Sequence, residues 1–408
     1  MRRSVDEHLE AVLGRIVPLP PFEQPLMEAL GLVLCEDVVS PVSLPGFDNS
    51  AMDGYAVRAT DLAGASTEQP ITLPVTGEIA AGRSLPIVVT PGTAVRIMTG
   101  APMPRGADSV VPVEWTDGGA ASVRIVQQPP HGGSVRRAGE DLRAGTQVLD
   151  RDTVLGPRQI ALLAAVGRAR VSVRPRPRVV VVSTGAELRE PGSRLSEGQI
   201  YDSNSYTLAA AARQAGAVVY RVGIVDDDPK KIMDTLSDQL VRADLVITSG
   251  GVSKGVYDVV KEVLTKLGTI DFPEVAMQPG KPQGFGVMGE DETPIFTLPG
   301  NPVSAYVSFE VFIRPALRKL MGAMPYRRRP VTGVALDEFS SPADKRQFVR
   351  VAATSGDEGW VARTVGGHGS HLLGGLSRAN ALMVVPEDVT LVRAGDQAEL
   401  WLLDEEIG

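Results

Sequence analysis

DLVITSGGVSKG, residues 244–255, decides how the middle of this chain is read. DLVIT is a short apolar run of strand type, and it stops abruptly in small residues. Its neighbours repeat the design. VVVV (179–182) ends in STGAEL, VVYRVGIV (218–225) ends in DDDP, and PIFTL (294–298) ends in PGNP. Helical signals lie between and after them: SNSYTLAAAARQ (203–214) stopped by Gly216, KKIMDTLSDQLVRA (230–243), 258–267, and a long helix over 303–321. Strand–helix alternation of this kind predicts a parallel sheet with helices on its faces.

The flanks differ in texture. Residues 1–175 are rich in Val, Thr, Gly and Pro, which predicts short strands and turns, with helices over 4–17 and 157–166. Pro157 suits a first-turn position. Residues 323–408 return to short β runs such as VTGVAL, FVRVAA and AELWLL, predicting a small barrel or sandwich. PYRRRP (325–330) reads as a linker with a solvated basic face.

At 408 residues the chain is too long for one core, since domains average ~100–200 residues. A net charge of -8 argues against a nucleic-acid partner. The single Cys35 excludes an internal disulfide, a multi-cysteine zinc site and an iron–sulfur cluster, so any sulfur chemistry belongs to a ligand. The start, MRRSVDEHLE, turns acidic where a signal peptide needs apolar residues, and no apolar run approaches the ~18 residues of a membrane span. A cytoplasmic protein is expected.

In a parallel α/β sheet ligands bind beyond the carboxyl ends of the strands. Four such ends carry glycine, small hydroxyls or acids here, which points to one pocket. SGGVS suits an anion through successive backbone N–H groups, and PGNPVSA places Asn301 at an N-cap with Pro302 at N1. A tight strand-to-helix turn explains either loop alone. Glu187, Asp226 and Asp258 are candidate Mg2+ ligands beside phosphate, although each acid could instead cap a helix or face solvent. Lys281, in a loop restricted by Pro279, Gly280 and Pro282, is a candidate anion contact. Arg346 and Arg350 share parity on a predicted strand and so face one side. HGSH (368–371) offers two histidines but no third metal ligand, and Ser370 is the residue favoured there for an oxyanion. PGFDNSAMDGYAV (45–57) presents Asp48 and Asp53 on a turn, Thr99 follows an apolar run, and GEDL presents Glu140 and Asp141.

Taken together, PGFDNSAMDGYAV, RIMTGAPMPRGAD, GEDL, VSTGAEL, YDSNS, SGGVSKGVYD, PGKPQGFG and LPGNPVSAYVSFE resemble the molybdopterin molybdenumtransferases, the MoeA and gephyrin E-domain family. GSHLLGGLSRANAL near the C-terminus fits as well. The resemblance implies a linking domain of residues 1–45 plus 143–175, a β-rich inserted domain over 46–142, a MogA-like α/β molybdopterin-binding domain over 176–324, and a C-terminal β domain over 325–408. It implies a homodimer with sites shared between subunits, Asp53 being offered in trans and Asp48 serving structure. A molybdopterin adenylyltransferase and recipient molybdoenzymes are its possible partners.

The implied reaction joins molybdate to adenylylated molybdopterin with Mg2+, giving molybdenum cofactor and AMP. Asp53, Thr99, Asp141, Glu187, Asp226 and Asp258 are the implied catalytic residues, the last three also holding the metal. Ser183, Thr184, Gly185, Asp202, Asn204, Ser249, Gly250, Gly251, Ser253, Pro279, Gly280, Lys281, Pro299, Gly300, Asn301 and Pro302 would bind the pterin substrate. Lys281, Arg346, Arg350 and Ser370 would hold molybdate. Gln278 departs from the pattern, because many relatives carry a base just before PGK. Two other readings compete: a molybdopterin adenylyltransferase, which resembles only the middle domain, and a non-catalytic scaffold on the same fold.

Overall fold

A computed structural model describes residues 2–82, 86–250, 262–266 and 268–404. It divides into two compact units, Met1–Phe22 with Arg174–Gly408, and Glu23–Val173.

In the first unit, α1 (Val5–Arg15) is nucleated by a capping box: Ser4 Oγ accepts from the Glu7 N–H, and the Glu7 carboxylate accepts from the Ser4 N–H. Its buried face is Val5, His8, Leu9 and Val12. The central sheet has six strands, β1 (Arg178–Thr184), β2 (Val218–Val225), β3 (Leu245–Ser249), β4 (Gly268–Asp271), β5 (Gly284–Met288) and β6 (Thr293–Leu298). Their spatial order is β2–β1–β3–β6–β5–β4. The first four in that order run parallel, as strand–helix alternation requires. β5 runs antiparallel to β6, to which the short turn 289–292 joins it as a hairpin, and β4 pairs antiparallel with β5 at the edge.

α2 (Asn204–Gln214) and α3 (Pro229–Leu240) occupy the expected positions. Residues 262–266 are helical, while 258–261 and 267 lie outside the described residues. The long C-terminal helix of this domain is three pieces: α4 (Pro302–Ser308), a π segment (Phe309–Ile313) and α5 (Arg314–Leu320). The wider turn sits just before Pro315, which has no N–H to donate into a regular α ladder.

The C-terminal region closes into a five-stranded barrel. β7 (Val331–Ala335), β8 (Arg346–Gly356), β9 (Gly359–Thr364), β10 (Ala381–Val385) and β11 (Gln397–Leu402) pair in the cyclic order β8–β9–β7–β11–β10. The period of two along β8 serves two cores. Val349, Val351 and Ala353 fill the barrel, while Phe348 packs into the cluster formed by α1, the central sheet and α5.

The second unit has its own five-stranded sheet, in the order Ser109–Pro112, Gly54–Val57, Ala94–Ile97, Ile71–Ile79, Ser122–Ile125. Tyr55 and Val57 face one core, and Ala56 faces another. The helix Pro157–Ala165, started by Pro157 as expected, packs Leu163 against Leu32, Leu34, Val38 and Val171. No helix among the described residues is long and apolar enough to cross a membrane.

His8 is a cost built into α1. Its ring lies edge-on to Phe312 at 4.7 Å, and its Nδ1 is buried with no hydrogen-bond partner. Burial, with Arg3 adding to it, pulls its pKa down to about 4. The folded state therefore binds fewer protons than the unfolded chain between that value and ~6.5, so stability falls as pH drops through this window. Chemical denaturation at pH 7.5 and pH 5 should show wild type losing about 2 kcal/mol that His8→Leu does not lose. Equal losses in the two proteins would refute a buried neutral imidazole.

Candidate functional site

A cleft of ≈ 500 Å3 in the first unit brings several strand ends together. Glu187 lies beyond β1, Gly250 beyond β3, and Pro299, Gly300 and Asn301 beyond β6. The 278–282 loop supplies Gln278, Pro279, Gly280 and Lys281, and the loop after β9 supplies His368 and Ser370.

Close backbone approach explains the glycines. Gly250 has φ +104°, and a Cβ there would meet the Thr184 carbonyl oxygen at 2.1 Å. Gly280, at φ +99°, sits against Ser308 Oγ and Met277. Its carbonyl accepts from Gln283 Nε2 at 2.6 Å, which also donates to Ser308 Oγ, and this fixes the loop that carries Lys281.

The loops are tied to one another by amides. Asn204 Nδ2 donates to Ser249 Oγ at 2.9 Å and to the Gly300 carbonyl at 2.7 Å. Asn301 is the N-cap residue of α4, but its side chain does not cap the helix; Nδ2 donates instead to Ser370 Oγ at 2.9 Å. The Val303 N–H, expected to be open to an anion, donates to the Ser370 carbonyl. Asp202 is fully buried and accepts from the Ser205 N–H and Oγ, so it caps α2 from inside. Ser183 Oγ and Thr184 Oγ1 are buried without partners, and Pro302 opens α4. Gly185 lies against Glu187, whose carboxylate oxygens would stand 2.8 Å from a Cβ at that position.

The acids of the DDDP turn divide their work. Asp226 is exposed and ion-paired to Lys231 at 2.5 Å, a pair whose lysine hydrogen bond holds its carboxyl below the usual range. Asp228 caps α3 by accepting from the Lys231 N–H. Asp227, absent from the sequence-based candidates, accepts from the Ala186 N–H at 3.0 Å, and its Oδ1 is buried without a partner. An orphan buried carboxylate oxygen beside a strand end is the donor expected of a cation site. Three aspartates in a row carry no sequence signal that separates them; only the backbone direction does. Gly251, Ser253 and Asp258 lie outside the described residues.

β8 does put Arg346 and Arg350 on one face, but they do not meet in the cleft. Arg346 pairs with Asp6 at 2.8 Å and Glu387 at 3.0 Å. Arg350 donates to the carbonyls of Leu372, Gly367 and Gly369. It therefore shapes the loop bearing His368 and Ser370. A larger groove of ≈ 660 Å3 lies beside Arg346, but it gathers none of the glycine-lined strand ends. Its cations are already paired, Arg346 and Arg327 to Asp6, and Arg328 to Glu310. Lys281 lines the smaller cleft while paired to Glu274 at 2.9 Å.

In the second unit, Asp53 Oδ1 accepts from both the N–H and the Oγ1 of Thr99, at 2.7 and 2.8 Å. The backbone N–H is the main cause of its lowered pKa. Asp48 is occupied by the Ala138 N–H and Arg137. Asp141 is exposed on its turn.

A parallel α/β domain with a polar, glycine-lined cleft at its strand ends, followed by a small barrel, defines a multidomain α/β and β protein with a candidate ligand cleft. The family models agree with that class and specify it. The MoeA N-terminal region (domains I and II) matches residues 3–167, the probable molybdopterin-binding domain matches 180–319, and the MoeA C-terminal region (domain IV) matches 332–403. The chain belongs to the MoeA family. Molybdopterin molybdenumtransferase 2 of Mycobacterium tuberculosis is 49% identical over 98% of this chain and 99% of its own. The molybdopterin molybdenumtransferase of Nostoc is 40% identical over 91% and 86%. A crystal structure of the MoeA protein of Pyrococcus horikoshii matches with TM-score 0.84 at 31% identity, covering 99% of this chain and 100% of that one.

The Asn204 clamp has a direct test. Asn204→Ala should cost about 1–3 kcal/mol by urea unfolding, the range for losing well-placed hydrogen bonds. Asn204→Asp should cost more, because it sets an oxyanion against the Gly300 carbonyl. An aspartate variant as stable as wild type would rule the clamp out.

Proposed function

We infer that this chain is a molybdopterin molybdenumtransferase acting in molybdenum cofactor biosynthesis: it takes molybdate and adenylylated molybdopterin and gives molybdenum cofactor and AMP. The observation that carries the reading is that all three family models match, over 3–167, 180–319 and 332–403. An adenylyltransferase would account for the middle match alone. A pure scaffold would leave the orphan oxygen of Asp227 and the Asp53–Thr99 pair without a use.

The chemistry of the cleft supports the same reading. Ser249, Gly250 and the Gly300–Asn301 turn line up at adjacent strand ends, where they would orient a phosphorylated pterin. Lys281 and Ser370 offer an ammonium and a hydroxyl to the molybdate oxygens. Among the described residues no three His, Cys, Asp or Glu groups converge on one point. Glu187 lines the cleft and Asp227 accepts from the neighbouring Ala186 N–H; these two carboxylates would hold Mg2+, which keeps several waters and takes its other ligands from substrate phosphate. Bound there, Mg2+ would supply Lewis-acid polarisation of the pyrophosphate. Asp227 takes the place first given to Asp226, whose lysine partner already neutralises it.

The two neighbours separate cleanly by mutation. With adenylylated molybdopterin and molybdate supplied, Asp227→Asn should lower AMP release by at least about 10–100-fold, the range for losing a partner that only supports a metal ligand. Asp226→Asn should leave it within about twofold, as expected of a surface ion pair. The reverse ranking would return the role to Asp226.

A further inference from the structure

His368 lines the same cleft as Lys281, and the proposed function gives it no role. Among the described residues lining the cleft, Lys281 is the sole fixed cation, Glu187 is an anion, and Gln278 is neutral. Lys281 also shares its charge with Glu274. Among the described residues, a tetrahedral dianion entering such a cleft would meet one shared ammonium beside a carboxylate, so a proton taken up there would favour its binding.

The imidazole is held in place. Its ring packs on Phe339 with centroids 5.4 Å apart, and Nδ1 lies 3.4 Å from Gln347 Nε2 on β8. Arg350 gathers the carbonyls of Gly367 and Gly369 on either side of it. Asn301 fixes Ser370 two residues on. The other titratable or charged groups around this point are His371 on the same loop, Arg350 on β8, Lys281 with Glu274, and Glu187 beyond β1.

We propose that His368 is an anion-binding residue of the cleft that becomes imidazolium when molybdate binds, so that binding takes up one proton. This rests on the reading of the cleft as the molybdate site. The sign follows from linkage. A nearby dianion raises the imidazole pKa, so affinity rises as pH falls from the bound-state pKa to the free-state pKa, by at most about tenfold per pH unit, and levels off below it.

Titration calorimetry with molybdate alone on the full chain, at pH 7 in buffers of different ionisation heat, counts the protons taken up. Wild type should take up a substantial fraction of one proton. His368→Gln should bind more weakly with that uptake lost, and His368→Lys should bind without uptake and with a flat pH profile between 6 and 8.5. Thermal unfolding of both variants checks that each is folded. Wild-type binding without proton uptake, or unchanged uptake in His368→Gln, would overturn the proposal while leaving the cleft as the molybdate site. Absence of molybdate binding in wild type would overturn it together with the site; the AMP-release assay then decides whether the transferase reading itself stands.

Discussion

A single carboxamide holds the cleft in register. Asn204, at the start of α2, donates one N–H to Ser249 at the end of β3 and the other to the Gly300 carbonyl beyond β6. These segments follow β1, β3 and β6, three neighbours in the sheet. Strand ends of a parallel sheet are not hydrogen-bonded to one another past the last ladder pair, so their loops need an outside tie. The glycines make the tie possible. A Cβ on Gly250 would collide with the Thr184 carbonyl, while one on Gly300 would stand 3.8 Å from the Gly250 Cα, in ordinary contact. Loop chemistry, packing and cleft shape are therefore one constraint.

The barrel is bound to the same frame by two kinds of force. Phe348, Leu382, Val384 and Leu403 bury their side chains in the core that also holds α1, the sheet and α5. Arg328 and Glu310 form a buried ion pair at 2.7 Å, and the arginine also donates to the Leu402 and Leu403 carbonyls. Such a pair adds little net stability, but it penalises any arrangement that leaves either charge alone, by about 3–5 kcal/mol. The apolar contact supplies attachment and the ion pair supplies register. That register lets a barrel loop place Ser370 on Asn301.

Periodicity and punctuation made most of this architecture legible. The alternation of apolar runs with capped helices gave the parallel core, and short β runs gave the barrel. Gly and Pro clusters marked the strand ends that line the cleft. What stayed hidden depended on direction rather than composition. Asp226, Asp227 and Asp228 are the same residue three times, yet the turn gives them a lysine, an orphan position and a helix cap. Arg346 and Arg350 share a face of β8, but four residues of strand separate their heads by ~13 Å of rise. One end reaches Asp6 and the other reaches a loop. HGSH read as a polar loop with Ser370 as its ligand-facing residue, whereas Gln347 and Phe339, which contact His368, come from strands that no local pattern pairs with it.

A chain with net charge -8 does not attract oxyanions from a distance, and at physiological salt the field is screened beyond ~8 Å in any case. Selection has to happen inside the cleft, at hydrogen-bond range. Among the described residues the lining offers the Lys281 ammonium, the Ser370 and Ser304 hydroxyls, the Gln278 and Asn301 amides and the imidazole of His368. Lys281 is paired to Glu274, so an incoming anion must compete for it rather than simply occupy it. Competition of this kind weakens attraction for any single negative charge and favours a ligand that engages several donors together. On the proposed function a tetrahedral dianion would meet that demand, because its diverging oxygens would face the sheet loops and the barrel loop at once. The Asn301–Ser370 contact keeps those two loops at a fixed distance, and so it sets the size of the ion that both can touch.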